Sequence, residues 1–87
     1  MRVSMPGPTP VLTAASLGRI LQSARKSKGL SQTQLAARVG VSQARLSALE
    51  REPGTLSVDQ LLALCGGLGL QLSIAAKDAS APPATDW

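Results

Sequence analysis

Three polar side chains stand close together in a short segment that otherwise has the apolar spacing of a helix. In GVSQARLSALE, residues 40–50, they are Gln43, Arg45 and Ser47, and none of them has an evident role in folding. An amide, a guanidinium and a hydroxyl are hydrogen-bonding groups suited to recognising another surface. Catalysis fits poorly, because the chain has no His or Tyr, no paired carboxylates in its capped helices and no Gly-rich phosphate loop. We therefore expect a non-enzymatic binding protein without a cofactor or a small-molecule substrate.

Formal charge is distributed unevenly along the chain. Residues 1–49 contain seven Lys and Arg and no acidic residue, whereas residues 50–87 contain two cations and five acids. The net charge is +4. A wholly cationic first half indicates a polyanionic partner, and an ordinary solvated basic face is the alternative.

The composition favours a small domain that associates with a second copy. Of the 87 residues one is Trp and none is Phe or Tyr, so the core must come from aliphatic side chains that each bury little area. We therefore expect a homodimer. The single Cys and the absence of His exclude a zinc site, and neither a signal peptide nor a membrane-spanning run is evident, so we expect a cytoplasmic protein.

Three segments are predicted from the distribution of proline and of apolar residues. Residues 1–12, with three prolines, are expected to be a disordered N-terminal arm. Residues 13–76 are expected to form the folded domain. Residues 77–87, KDASAPPATDW, are expected to be a flexible C-terminal tail.

Helical periodicity and serine caps predict four helices in the folded domain. The predicted helices cover about residues 14–27, 31–39, 42–50 and 57–67. Ser31 and Ser57 each begin a Ser-x-x-Gln capping box. Ser42 is followed three residues later by Arg45, whose side chain has no acceptor for the Ser42 backbone N–H. The Arg45 side chain is therefore free for another role.

The period changes after Gly69. Leu70, Leu72 and Ile74 alternate with Gln, Ser and Ala, which is the pattern of a half-buried strand. A lone strand leaves its backbone groups unpaired, so we expect it to pair with the same strand of a second copy. A short final helix is the alternative. The expected fold class is all-α with one C-terminal strand, paired across a homodimer.

The second and third helices are joined by only Gly40 and Val41, the tight junction of a helix-turn-helix. Gly40 supplies the positive φ that the turn needs, and Ala36 is small where the helices cross. The window QTQLAARVGVSQARLSALER, residues 32–51, resembles the helix-turn-helix of the Xre-type family of phage repressor and Cro proteins. The resemblance covers about residues 16–70 and implies a repressor-like four-helix DNA-binding domain.

The resemblance implies that the third helix lies in the major groove and that its first residues read base edges. The candidates for base contact are Ser42, Gln43, Ala44, Arg45 and Ser47. Gln43 is the strongest, because its amide can bond adenine N6 and N7 together. Arg45 could contact guanine or a phosphate. The alternatives are a pure N-cap for Ser42 and ordinary surface positions for Ala44 and Ser47.

The resemblance also implies phosphate contacts and one structural ion pair. Gln32 begins its helix, where free N–H groups favour a phosphate. Other candidates for phosphate contact are Lys26, Lys28, Arg38 and Arg51, each of which could equally be a solvated cation. Arg25 is expected to pair with Glu50 and so to join the first helix to the third.

The end of the chain resembles a narrower group. The strand and tail LQLSIAAKDAS, followed by a terminus with an acid and Trp87, are similar to HipB-type antitoxins, small dimeric repressors that neutralise a HipA-like serine/threonine kinase toxin. The resemblance implies the antitoxin and operon repressor of a type II toxin–antitoxin module, bound to a palindromic operator. Trp87 is then a hook for the partner or for a protease, and a disordered terminus is the alternative.

Two other functions are also compatible with the sequence. One is a stand-alone Xre-type regulator or phage-type repressor with no toxin partner. The other is a protein-interaction adaptor that uses the helix-turn-helix shape without binding DNA. Salt distinguishes the adaptor, because only phosphate contacts make affinity fall steeply as the salt concentration rises.

Overall fold

A computed structural model describes residues 8–77 as four α-helices and one 3₁₀ turn. They are α1 Ala14–Ser27, α2 Gln32–Val39, α3 Gln43–Arg51, the 3₁₀ turn Pro53–Thr55 and α4 Val58–Leu68. The predicted four-helix, all-α architecture is confirmed. Helices α2, α3 and α4 begin one residue later than predicted, because the serine before each is an extended N-cap outside the helix. Residues 1–7 of the predicted arm and 78–87 of the predicted tail lie outside the described residues.

Side-chain caps fix where the helices begin. The Ser31 hydroxyl accepts from the backbone N–H of Gln34 at 3.0 Å, and the Gln34 side chain accepts from the Ser31 N–H at 2.8 Å. Ser57 begins a second box of the same kind, so both predicted capping boxes are confirmed. Helix α1 has a third box, Thr13 with Ser16, which the Ser-x-x-Gln pattern does not detect because a serine stands at its third position.

The core lies where the four helices meet. Its buried members are Leu21 of α1, Leu35 and Ala36 of α2, Leu46 of α3, and Leu64 and Leu68 of α4. The turn between α2 and α3 has Gly40 at φ +77°, the left-handed conformation expected of it. The next residue, Val41, donates its N–H to the Ala36 carbonyl at 3.0 Å. Helix α3 is thus held against α2 by a closed turn and a shared apolar core.

Residues 70–76 carry neither a helix nor a strand. The chain leaves α4 through Gly69 at φ +70°, and the Leu70 N–H is bonded to the Cys65 carbonyl at 2.8 Å. Beyond that point Leu72 and Ile74 are 43% and 90% exposed. Since residues 8–77 of one chain contain no other strand, this segment has no internal partner to pair with. The expected pairing with a second copy therefore stays a prediction, and the alternative of a short final helix is not what forms here.

Two glycines in helices should respond oppositely to alanine. A Cβ at Gly18 would lie 2.8 Å from Pro53 Cγ and 3.2 Å from the Glu50 carbonyl oxygen, whereas a Cβ at Gly66 would meet nothing within 4 Å. We expect Gly18→Ala to lower the free energy of unfolding by about 1–2 kcal/mol, since overpacking outweighs the gain in helix propensity. Gly66→Ala should raise it by about 0.5–1 kcal/mol. Urea denaturation measures both, and equal effects would contradict the close packing of α1 on the 3₁₀ turn.

Candidate nucleic-acid interface

Helix α3 has one face in the core and another at the surface. Leu46 and Leu49 are almost completely buried and anchor the inner face. On the outer side the N-cap and the first turn are exposed, and they contain Ser42, Gln43, Ala44 and Arg45. Ser47 is half-buried, so it lies nearer the side of the helix than the others. Four of the five residues predicted to contact bases thus lie together at the exposed N-terminal end of α3.

Ser42 caps α3. Its hydroxyl oxygen accepts from the Arg45 backbone N–H at 3.0 Å, and the helix has no reciprocal side-chain bond. A serine hydroxyl that accepts one bond can still donate its own proton. The cap therefore leaves the Ser42 hydroxyl hydrogen available to a partner.

Gln43 is held by a neighbouring amide. Its Nε2 donates to Gln32 Oε1 at 2.7 Å, and Gln32 Nε2 in turn donates to Glu50 Oε1 at 2.9 Å. The two glutamines stand at the first positions of α2 and α3, and the short turn brings these helix ends together. Both glutamines were predicted to lie in the interface, but their contact with each other was not predicted. Their contact depends on how α2 and α3 meet, and no local sequence signal indicates it.

A salt bridge lies beneath this pair of amides. Arg25 Nε and Nη2 donate to Glu50 Oε2 and Oε1 at 2.7 and 3.2 Å, and the two side chains are 9% and 6% exposed. Arg25 Nη1 also donates to the Leu30 carbonyl at 2.9 Å. Helix α1, the α1–α2 connection and helix α3 are therefore joined at one guanidinium. The ion pair that the family resemblance implied is present, and its contribution to stability stays a prediction.

The four cations proposed as phosphate contacts are all exposed. They are Lys26, Lys28, Arg38 and Arg51. Two of them lie near the C-terminal end of α4: Arg38 Nη1 donates to the Gly67 carbonyl at 3.4 Å, and the Lys28 ammonium lies close to Gly69. Cations at a helix C-terminus interact favourably with its partial negative charge. Arg38 thus has an intramolecular bond that sequence reasoning missed, and Lys28 lies beside the same helix end.

A surface groove of about 960 Å³ runs between α1 and the end of α4. Its apolar lining includes Ile20, Leu68 and Leu70, and its charged lining includes Arg19, Lys28 and Arg38. The groove therefore adjoins the segment 70–76, whose Leu72 and Ile74 are exposed. An apolar groove beside exposed aliphatic side chains is a surface that association could bury.

Other site types are not found among residues 8–77. These residues include no group of three His, Cys, Asp or Glu placed to hold a metal ion. Within the same part of the chain, no helix is both long and apolar enough to span a bilayer. The predicted hook, Trp87, lies outside the described residues.

A known protein family has the same helix-turn-helix arrangement. Residues 21–74 match the family HTH_3, helix-turn-helix, a DNA-binding and non-enzymatic family of the Xre type. No curated protein matches the sequence.

Solved structures share the fold. A chain of the HipA-HipB-O2-O3 complex superposes with a TM-score of 0.75 at 20% identity, over 80% of this chain and 99% of that one. A chain described as MDT Protein gives the same values. A chain of a HipB-O1-O2 complex gives a TM-score of 0.73 at 20% identity, over 78% of this chain and 99% of that one. At such identities the likeness shows the fold.

Proposed function

Because the chain belongs to the Xre-type helix-turn-helix family, we propose that it is a dimeric repressor whose helix α3 reads operator DNA. The observation that carries this proposal is the exposed N-terminal end of α3, where the Gln43 amide is held by Gln32. A helix fits the major groove of B-DNA, and helix-turn-helix proteins contact bases with the first residues of their second helix. The excess of cations in residues 1–49 supports a polyanionic partner.

The proposed base contacts follow from the chemistry of each side chain. Gln43 is assigned to adenine, and Arg45 to guanine O6 and N7 or to a phosphate. Ser42 donates its hydroxyl proton to a base or a phosphate. Ala44 offers its methyl group to a thymine methyl, and Ser47, which is half-buried, contacts DNA from the side of the helix.

The proposed phosphate contacts place the protein without reading sequence. At the start of α2 the free backbone N–H groups and the helix dipole favour a phosphate. The Gln32 side chain already bonds Gln43 and Glu50, so its backbone N–H is the better phosphate donor. The exposed cations Lys26, Lys28, Arg38 and Arg51 are assigned to the flanking phosphates.

The proposed dimer forms through residues 70–76. Pairing of this segment with its copy would satisfy backbone groups that find no partner strand within residues 8–77 of one chain. It would also cover Leu72 and Ile74 and the adjoining apolar part of the groove. A two-fold dimer presents two α3 helices to half-sites about one helical turn apart, so the operator is a palindrome.

We further propose that the repressor is the antitoxin of a type II module and binds a HipA-like serine/threonine kinase. The support is the fold shared with a chain of the HipA-HipB-O2-O3 complex, together with the strand-and-tail pattern of the C-terminal sequence. In this role the protein represses its own operon and neutralises the kinase. Trp87 is the proposed hook for that partner or for a protease.

A pull-down of tagged full-length protein from its native host, with and without nuclease, tests the proposal. A kinase that stays bound after nuclease treatment supports the antitoxin proposal. If the Trp87→Ala variant no longer recovers the kinase but still recovers DNA, Trp87 is the hook for the kinase. Recovery of DNA alone identifies a stand-alone regulator. If a protein partner is recovered without DNA, and its binding does not weaken as the salt concentration rises, the protein is an adaptor and the DNA-binding proposal is overturned.

A further inference from the structure

Four side chains form one continuous chain of hydrogen bonds from the core to the exposed end of α3. Arg25 donates to both oxygens of Glu50, Gln32 donates to Glu50 Oε1, and Gln43 donates to Gln32. The distances, in the same order, are 2.7 and 3.2 Å, 2.9 Å and 2.7 Å. The inner end is buried and the outer end is exposed. The direction of each bond is therefore linked to the direction of the next.

The chemistry of Glu50 fixes that direction. Both of its oxygens receive guanidinium N–H groups of Arg25, which can only donate, and an ionised carboxylate can only accept. Gln32 must therefore turn its amide nitrogen toward Glu50 and its oxygen toward Gln43. Gln43 must then turn its nitrogen toward Gln32. The orientation of the outer amide follows from the inner carboxylate.

We propose that Glu50 is a positioning residue that sets which base Gln43 reads. This inference deepens the proposed function and rests on it. With one N–H bonded to Gln32, Gln43 presents a free Oε1 and a remaining N–H. Adenine offers a matching N6 donor and N7 acceptor in the major groove, whereas guanine offers two acceptors. The fixed amide therefore selects adenine and rejects guanine, because guanine O6 would face Oε1.

Replacing the carboxylate by an amide should reverse the chain. In Glu50→Gln the amide oxygen takes the position of Oε2, where it accepts the shorter bond from Arg25 Nε. The new nitrogen takes the position of Oε1, loses the longer bond from Arg25 Nη2, and donates to the Gln32 oxygen. Gln32 then presents its nitrogen to Gln43, and Gln43 presents two N–H groups to DNA. Two donors match the two guanine acceptors. The expected result is a shift in preference from adenine toward guanine at the base pair that Gln43 contacts.

Competition binding with duplexes that differ at single base pairs measures this shift. Gln43→Ala first identifies the base pair, as the position where the adenine preference disappears. Wild type should prefer adenine to guanine there by roughly tenfold to hundredfold. Glu50→Gln should abolish or invert this ratio. Glu52→Gln makes the same substitution at an exposed position outside the hydrogen-bond chain and should leave the ratio unchanged.

A second variant keeps the test valid if Glu50→Gln does not fold. Gln32→Met removes the link and leaves the salt bridge between Arg25 and Glu50 in place. The Gln43 amide can then rotate, so the adenine preference should fall while the other base pairs keep theirs. An unchanged ratio in this variant, or in a folded Glu50→Gln, overturns the inference and leaves the repressor proposal intact. If the wild-type protein shows no base preference at any position, both the repressor proposal and the role of Glu50 are overturned. The wild-type result therefore distinguishes failure of the repressor proposal from failure of this inference alone.

Discussion

Glu50→Ala is expected to lower the free energy of unfolding by about 3–5 kcal/mol, because it leaves the Arg25 charge buried and unpaired. The two side chains are 9% and 6% exposed, and the carboxylate accepts from Arg25 at 2.7 and 3.2 Å. The total stability of a small domain is only about 5–15 kcal/mol, so this loss could unfold much of the protein at 37 °C. Urea denaturation followed by circular dichroism measures the change.

Two matched variants distinguish the loss of the ion pair from a general effect of alanine in α3. Glu52→Ala removes an exposed carboxylate two residues further along and should change stability by less than about 0.5 kcal/mol. The double variant Arg25→Met with Glu50→Leu replaces the pair by apolar side chains and should recover much of the loss, because neither charge is then left alone. If Glu50→Ala and Glu52→Ala had equal effects, the ion pair would have no structural role.

Ile74→Asp is expected to convert the proposed dimer to monomers and to weaken binding to a palindromic operator by roughly 10²–10⁴-fold. A charge on the apolar face of the paired segment would lose its hydration on association. A monomer engages one half-site and loses the gain from joining two binding events. Analytical ultracentrifugation measures the first effect, and fluorescence anisotropy with labelled duplex measures the second.

Ser73→Asp is the matched control for the dimer. Residues 73 and 74 are both exposed in the single chain, and successive side chains of a strand point to opposite faces. A paired strand therefore predicts that Ser73→Asp stays dimeric while Ile74→Asp does not. Equal effects of the two variants would argue against a strand, and a wild-type protein that is monomeric when bound to its operator would exclude this dimer.

Local sequence signals were sufficient for the helices. The Ser-x-x-Gln boxes at Ser31 and Ser57 predicted the N-terminal ends of two helices to within one residue, because a capping box is complete within four residues. Gly40 was predicted at its left-handed turn for the same reason: only local backbone conformation is involved. The 3₁₀ turn Pro53–Thr55 was missed, since its three residues carry no apolar periodicity.

Contacts between elements were harder to predict from the sequence. The residue types at 32 and 43 indicated an interface, but the bond between Gln32 and Gln43 depends on how α2 and α3 meet. The Arg25–Glu50 pair was predicted only from the family resemblance. The two residues are 25 positions apart, and no local pattern in the sequence indicates that they touch. The strand predicted from the alternation of residues 70–75 could not be tested within one chain, because its expected pairing partner is a second copy.

Selection of binding sites from a pool of random DNA duplexes tests whether this chain reads DNA through α3. Readout by α3 in a two-fold dimer predicts an enriched palindrome whose half-sites have centres about one helical turn apart, about 10 base pairs. It also predicts that Gln43→Ala loses the preference for adenine at one position in each half-site. Failure of the wild-type protein to enrich any sequence, or enrichment of the same motif by Gln43→Ala without change, would contradict it.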